Sequence, residues 1–268
     1  MPRSDRLREL QRRSLDDLVR FGQPRFTDSW FPYTSGEVGP FYIQSIVVEQ
    51  DGAAYRRAVD GLCELILETL GVEGFDAISG GESRDWDFSN PVAVALQKPH
   101  VKIYKDGRML GADPEGMRVV HVADLNNQGS SMRDTWAPVV RSAGGELVHA
   151  FFFVDRLEDG VDVLSELGIP ADAVVPLDEA AWRHLRDIAY ISDELYASLE
   201  RRRRDKTAWA LDALRRHIDR LGEMLSSPTE SEARRAARIL SDGYPGHREE
   251  LEALLRERGY EPPSPDSE

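Results

Sequence analysis

An α/β doubly wound fold, a parallel sheet covered by helices on both faces, is what the order of elements in this chain predicts. Three observations carry it. Short apolar strand-like runs alternate with helical patterns between residues 75 and 176. The character changes after residue 178 to helices rich in Arg and Glu. The length, 268 residues, suits one α/β domain of common size with an appendage.

Taken in order, residues 1–22 place Leu7, Leu10, Leu15, Leu18 and Phe21 at helical spacing and predict an amphipathic helix. The aromatic, turn-rich stretch from Phe26 to Tyr42 reads as irregular or hairpin-like, because its Pro and Gly content opposes a helix. Ala53–Leu70 is a helix with Val59, Leu62, Cys63, Ile66 and Leu70 on one face, stopped by Gly71. Phe75–Ile78 is a strand, Val92–Leu96 helical, His100–Tyr104 a strand and Lys105–Gly116 a loop. Val119–Val122 is a buried strand, followed by a polar loop and a helix over Met132–Ala143 that Gly144-Gly145 ends. Leu147–Val154 is the most apolar strand, Val161–Leu167 a helix and Ala173–Pro176 a last strand. Helices are then expected over Ala180–Arg204, Thr207–Ser226, Glu230–Leu240 and Arg248–Arg258. The domain division that follows is 1–178 for the α/β domain, 179–260 for the helical extension and 261–268 for a disordered tail.

Composition excludes several function classes. Lys plus Arg number 34 against 48 Asp plus Glu, a net charge of −14, which opposes general nucleic-acid binding. The four-arginine run Arg201–Arg204, flanked by acids, reads as a solvated face. No apolar run is long enough to span a membrane, and the charged N-terminal stretch has no apolar core of a secretory signal. Cys63 is the one cysteine, so no internal disulfide forms, and it reads as a core thiol in a cytoplasmic protein. His100, His121 and His149 fall on strands and His184, His217 and His247 in the helical part, none at metal-ligand spacing. Trp136, Trp182 and Trp209 read as packing residues.

In an open α/β sheet, ligands bind beyond the carboxyl ends of the strands. Three loops there carry chemistry. Ser79-Gly80-Gly81-Glu82-Ser83-Arg84 lets backbone N–H groups approach an anion that Arg84 can pair, although a tight strand-to-helix connection explains Gly80 and Gly81 equally. Asp124 opens the second loop, in which Asn127, Gln128, Gly129, Ser130 and Ser131 precede a helix and form a phosphate cradle, unless a serine merely caps that helix. In the third, Asp155 and Arg156 emerge from the most apolar strand, as a structural pair or as ligand contacts. Neither a dinucleotide fingerprint nor a Walker loop is present.

Together these segments resemble the type I phosphoribosyltransferases, specifically the orotate phosphoribosyltransferases, over Phe26 to Gly168. VVHVADLNNQGSSMRDTW matches the signature in which two acids precede Thr-x-Gly-Thr. FDAISGGESRDWDFSNPVAVALQKPHV matches the diphosphate loop and its helix, and VDRLEDG the Asp-Arg segment. PYTSGEVGPFY resembles the N-terminal hood over the base. The resemblance implies phosphoribosyl transfer from phosphoribosyl diphosphate to a pyrimidine such as orotate, with Mg²⁺ carried on the diphosphate, in a homodimer. Gly80, Gly81 and Arg84 would hold diphosphate, and Lys105 would supply loop charge. Asp124 would hold the ribose diol, Asn127–Ser131 the 5′-phosphate and Arg156 the base carboxylate. The chain departs from the pattern at Ala123, where the first signature acid is missing, and in a short loop whose cations are Lys105 and Arg108 alone. Restoring an acid at 123 would return a second acceptor for the ribose hydroxyls. The same departures leave open a catalytically degenerate protein that binds a nucleotide or phosphoribosyl ligand as a sensor.

Overall fold

The computed structural model describes residues 3–262. Helix α1 spans Asp5–Arg20, begun by Ser4, whose hydroxyl accepts from Leu7 N–H. A hairpin follows, β1 (Arg25–Pro32) and β2 (Val38–Tyr42), and then α2 (Gly52–Leu70), capped by Asp51 and ended at Gly71. Next come β3 (Ala77–Gly81), α3 (Asp85–Ala95), β4 (His100–Ile103), β5 (Met109–Gly111) and β6 (Arg118–Asn126). A π-helical turn, Met132–Trp136, runs into α4 (Ala137–Ser142). Then follow β7 (Glu146–Asp155), α5 (Gly160–Glu166), β8 (Ala171–Pro176) and α6 (Glu179–Asp187). The last helices are α7 (Asp193–Arg204), α8 (Lys206–Arg216), α9 (Ile218–Leu225), α10 (Glu230–Arg238) and α11 (Arg248–Glu257).

Among the described residues two compact units result, one within 3–23 and 44–187, the other within 24–43 and 188–262. The contiguous division at residue 178 thus gives way to an interleaved one. α6 joins the sheet, and the hairpin leaves it for the helical unit. Of the expected tail, residues 263–268 lie outside the described residues.

The first unit holds a six-stranded sheet in the order β5-β4-β3-β6-β7-β8. All of its pairs are parallel except β4 with β5. Alternation along β7 sorts the two faces. Ala150 and Phe152 join Trp136, Ala137, Val140 and Leu164 beneath α4 and α5. Phe153 stacks on Phe88 of α3 at 5.2 Å between ring centroids on the other face. There α1 and α2 are joined by a bidentate pair, Arg57 to both oxygens of Asp17 at 2.7 Å.

Several elements differ from the sequence reading, each for a physical reason. α3 starts at Asp85 rather than near Val92, because Asp85 and Asp87 favour a helix N-terminus. Pro91 lacks the N–H that would bond the Asp87 carbonyl, and the Tyr55 hydroxyl donates to that carbonyl instead. The expected loop after Tyr104 contains β5: Tyr104 N–H donates to Arg108 C=O at 2.9 Å and closes a hairpin. The helix expected over 180–204 breaks at Ala189, where φ is +58°, and that over 207–226 at His217. Of the four arginines expected at a solvated face, Arg202 is buried and stacks on Trp209 at 5.4 Å.

In the second unit the hairpin is part of a helical core. Two strands alone are marginal in water; here Trp30 and Val38 pack with Trp209, Leu214, Leu221 and Leu251. Val38 N–H donates to the buried Tyr244 hydroxyl at 3.1 Å, and Lys206 pairs with Glu37 at 2.8 Å.

Two stability outcomes follow. Ala123 sits in the apolar layer with Met132, Trp136 and Phe152. Ala123→Asp therefore buries an acid among hydrocarbons and should cost about 3 kcal/mol rather than restore a ribose contact, read from urea unfolding; an unchanged midpoint refutes this. Tyr244→Phe leaves the buried Val38 N–H without its acceptor and should cost the second unit about 1–3 kcal/mol, followed by tryptophan fluorescence on heating.

Candidate functional site

Because β3, β4, β6, β7 and β8 are parallel, their carboxyl ends open on one edge of the sheet. The loops at 82–84, 104–108, 127–129 and 156–159 emerge there.

The β3–α3 loop lies low over its strand. A Cβ at Gly80 would stand 2.1 Å from Ser89 Oγ, and one at Gly81 would stand 2.2 Å from the Trp136 ring. Close packing thus requires both glycines, whatever else they do. Trp86 Nε1–H donates to Gly80 C=O at 2.8 Å and its ring meets Tyr104 edge-on at 4.9 Å. Glu82, joined to Ser83 by a cis peptide, accepts from Lys105 N–H at 3.0 Å. These contacts fasten the β4–β5 turn to the loop and leave the Lys105 and Arg84 side chains exposed.

Asp124 extends from β6 beyond the last residue of β3, into the space over which α3 begins. It is buried, and its Oδ2 accepts from Ser45 Oγ at 2.6 Å. The Asp85 carboxyl is its direct neighbour. Burial foremost, then the Asp85 charge, pushes the Asp124 carboxyl far above the ordinary carboxylate range, against the Ser45 hydrogen bond and Arg84. Asp85 Oδ2 accepts from Gly81 N–H at 3.1 Å and lies 3.6 Å from His121 Nε2, whose ring meets Ser79 Oγ through Nδ1 at 3.0 Å. Nearby, burial and then Asp85 raise the carboxyl of Asp87, and burial and then Asp87 raise that of Glu49. This edge of the sheet is thus rich in carboxyl groups, with Arg84 exposed beside it.

The β6 loop is held from behind. Arg156, buried, donates to Asn127 Oδ1 at 2.9 Å and to Glu158 Oε1 at 3.2 Å. Asn126 Nδ2–H donates to Asp155 Oδ2 at 3.1 Å, and Gly160 N–H to Asn127 C=O at 3.0 Å. Gln128 is half-buried, and Gly129 turns the chain with φ +65° into a helix that starts at Ser130. Ser130 and Ser131 are exposed, and Ser131 makes no capping hydrogen bond. Two hydroxyls and the opening N–H groups of a helix therefore face outward, an arrangement suited to an anion.

The structure brings Gly80, Gly81, Arg84, Asp124 and Asn127–Ser131 to one edge, with Lys105 on the adjoining turn and Arg156 enclosed behind the β6 loop. Sequence reasoning missed Asp85, Ser45, His121 and Asn126. An acid directly after Arg84 was the one available signal for Asp85; the other three depend on tertiary contacts.

No family model matches the chain. It is similar to the orotate phosphoribosyltransferase of Sulfolobus acidocaldarius, 30% identical over 155 residues that cover 56% of this chain and 76% of that one. It is similar also to the adenine phosphoribosyltransferase of Agathobacter rectalis, 30% identical over 164 residues, 53% of this chain and 90% of that one. The crystal structure of orotate phosphoribosyltransferase from Aeropyrum pernix superposes with a TM-score of 0.57 at 25% identity, covering 66% of this chain and 99% of that chain. With the signature loop, the sheet and these relatives in agreement, the chain belongs to the type I phosphoribosyltransferase family and resembles its orotate phosphoribosyltransferases, with Ala123 in place of one signature acid.

Proposed function

We propose that the protein transfers the 5-phosphoribosyl group of phosphoribosyl diphosphate to a pyrimidine base such as orotate. A ring nitrogen of the base forms a bond to ribose C1, the bond from C1 to the diphosphate oxygen breaks, pyrophosphate leaves and the nitrogen's proton passes to solvent. The observation that carries the reading is the pairing, at the ends of adjacent strands β3 and β6, of a carboxylate site with an outward-facing serine cradle.

In this reading Asn127, Gln128, Gly129, Ser130 and Ser131 hold the 5′-phosphate, Asp124 the ribose hydroxyls, and Arg84 with the Gly80-Gly81 backbone the diphosphate. Lys105 supplies charge beside the leaving group. Glu158 already engages the Arg156 guanidinium, so we assign Arg156 to bracing the cradle rather than to a base carboxylate. Among the described residues no group of three or more His, Cys, Asp or Glu could hold a metal ion. Mg²⁺ therefore enters this proposal as part of the substrate, on diphosphate oxygens, where it would neutralise leaving-group charge. The shortage of loop cations supports a homodimer in which a second copy adds charge. No helix among the described residues is long and apolar enough to cross a membrane. A single cysteine and an acidic composition accord with a cytoplasmic location.

One observation favours a second reading, ligand binding without turnover: the turn holding Lys105 and Arg108 is short and closed by hydrogen bonds at both ends. Pyrophosphate release measured with phosphoribosyl diphosphate, Mg²⁺ and either orotate or adenine separates the two. Release that depends on orotate is expected. Adenine-dependent release alone would reassign the base, and tight binding without release would establish the second reading.

Asp124→Asn tests the cost of the site. Asn Oδ1 can still accept from Ser45 while its amide donates to Asp85. The raised carboxyl of Asp124 makes the wild type lose stability as pH rises through that raised value, since the folded state favours the protonated form. The variant should therefore lose at least tenfold in phosphoribosyl diphosphate affinity, yet gain about 1–3 kcal/mol over wild type at pH 8. The stability gain should shrink toward pH 5; thermal unfolding across that range checks it, and a gain independent of pH contradicts the assignment.

A further inference from the structure

On β6, the residue beside Asp124 is Ala123, whose methyl group belongs to the apolar layer with Trp136 and Phe152, so the strand offers Asp124 no second acid. A second carboxylate nevertheless reaches the site from another element. Asp85, in the first turn of α3, is anchored through Oδ2 by Gly81 N–H at 3.1 Å and neighbours Asp124. Behind it stands the His121 ring. His121 is fully buried, and its Nε2 has no hydrogen-bond partner among the described residues, yet lies 3.6 Å from Asp85 Oδ2. Ser79 Oγ lies 3.0 Å from Nδ1, and a hydroxyl donating there would leave the ring N–H on Nε2, toward Asp85. Buried donors aimed at one oxygen of a carboxylate fix its orientation.

On the phosphoribosyl reading of the site, we infer that Asp85 is its specificity-determining residue for ribose: Asp85 and Asp124 together accept hydrogen bonds from two vicinal hydroxyls, and His121, backed by Ser79, is the positioning residue that aims Asp85. The pair is assembled from the β3–α3 and β6 loops instead of from adjacent residues of one strand. Gly81 is central to it, since its N–H anchors Asp85 and its missing side chain admits the Trp136 ring. A site built to accept from a hydroxyl discriminates against a ligand lacking that hydroxyl, because its acceptors stay buried and unmatched.

The test is calorimetric binding of two probes, D-ribose 5-phosphate and 2-deoxy-D-ribose 5-phosphate, to the full chain. Wild type should prefer the ribose form by roughly tenfold or more, the scale of one hydrogen bond to a charged group. Asp85→Asn should bring the two affinities within about twofold of each other, while inorganic phosphate binds at least as well as to wild type. Asp85→Glu should retain part of the preference, and His121→Phe should reduce it without abolishing phosphate binding. A preference unchanged in Asp85→Asn overturns the inference, even if the enzyme turns over phosphoribosyl diphosphate. Absence of turnover with an Asp85-dependent preference defeats the transferase reading and leaves the ribose assignment standing. Failure of wild type to bind either sugar phosphate overturns both.

Discussion

Repulsion between two neighbouring carboxylates, Asp85 and Asp124, is the constraint around which the loops of the sheet unit are organised. Asp124 is buried, so its ionised form is costly, and a second carboxyl at its side raises that cost further. The neighbours are disposed to bear it. Ser45 and the Gly81 N–H donate to the pair, His121 stands behind Asp85, and Arg84 supplies positive charge from the exposed side. Gly80 and Gly81 let α3 and the Trp136 ring settle against β3, which brings the first turn of α3 beside the end of β6. Close packing therefore requires both glycines, and the backbone N–H of Gly81 also anchors Asp85. Residues held in such an unfavourable arrangement are better suited to a ligand than to stability.

Much of this was legible in the chain alone. Alternating strands and helices gave the parallel sheet, and Gly129 with two serines marked the turn and helix start after β6, because both are local features. What escaped the reading is tertiary. Asp85 looks like an ordinary N-terminal helix acid until Asp124, far along the chain, is placed next to it. The start of α3 was obscured by Pro91, whose lost hydrogen bond is made good by a tyrosine from α2. Breaks at Ala189 and His217 lie within unbroken helical composition, so only the packed chain reveals them. Arg202 reads as one of four solvated arginines, yet its neighbour Trp209 gives its guanidinium a buried face.

Residues 24–43 present a different case. As a sequence they read as a hairpin, and they are one, but nothing local says which core they join. Trp30 and Val38 find their apolar partners among the last helices, and Val38 N–H finds its acceptor in Tyr244. The helical extension is thus not a simple appendage after the sheet. It contains a segment drawn from the N-terminal region, so the chain leaves the sheet unit at residue 24, returns at 44 and leaves again at 188.

In the β6 and β7 loops the buried arginine serves the protein's own hydrogen-bond network. Binding a phosphate requires donors whose directions are fixed before it arrives; otherwise ordering the loop consumes the interaction energy. Asn126, Asn127, Asp155, Arg156 and Gly160 supply that order through hydrogen bonds between the two strand ends. A buried guanidinium bridging Asn127 and Glu158 spans more of the loop than a lysine could, because its planar fork makes two directed bonds at once. The stiff part of the cradle is therefore the buried part. Ser130 and Ser131, exposed on its rim, are the residues that the proposed phosphate contact would use.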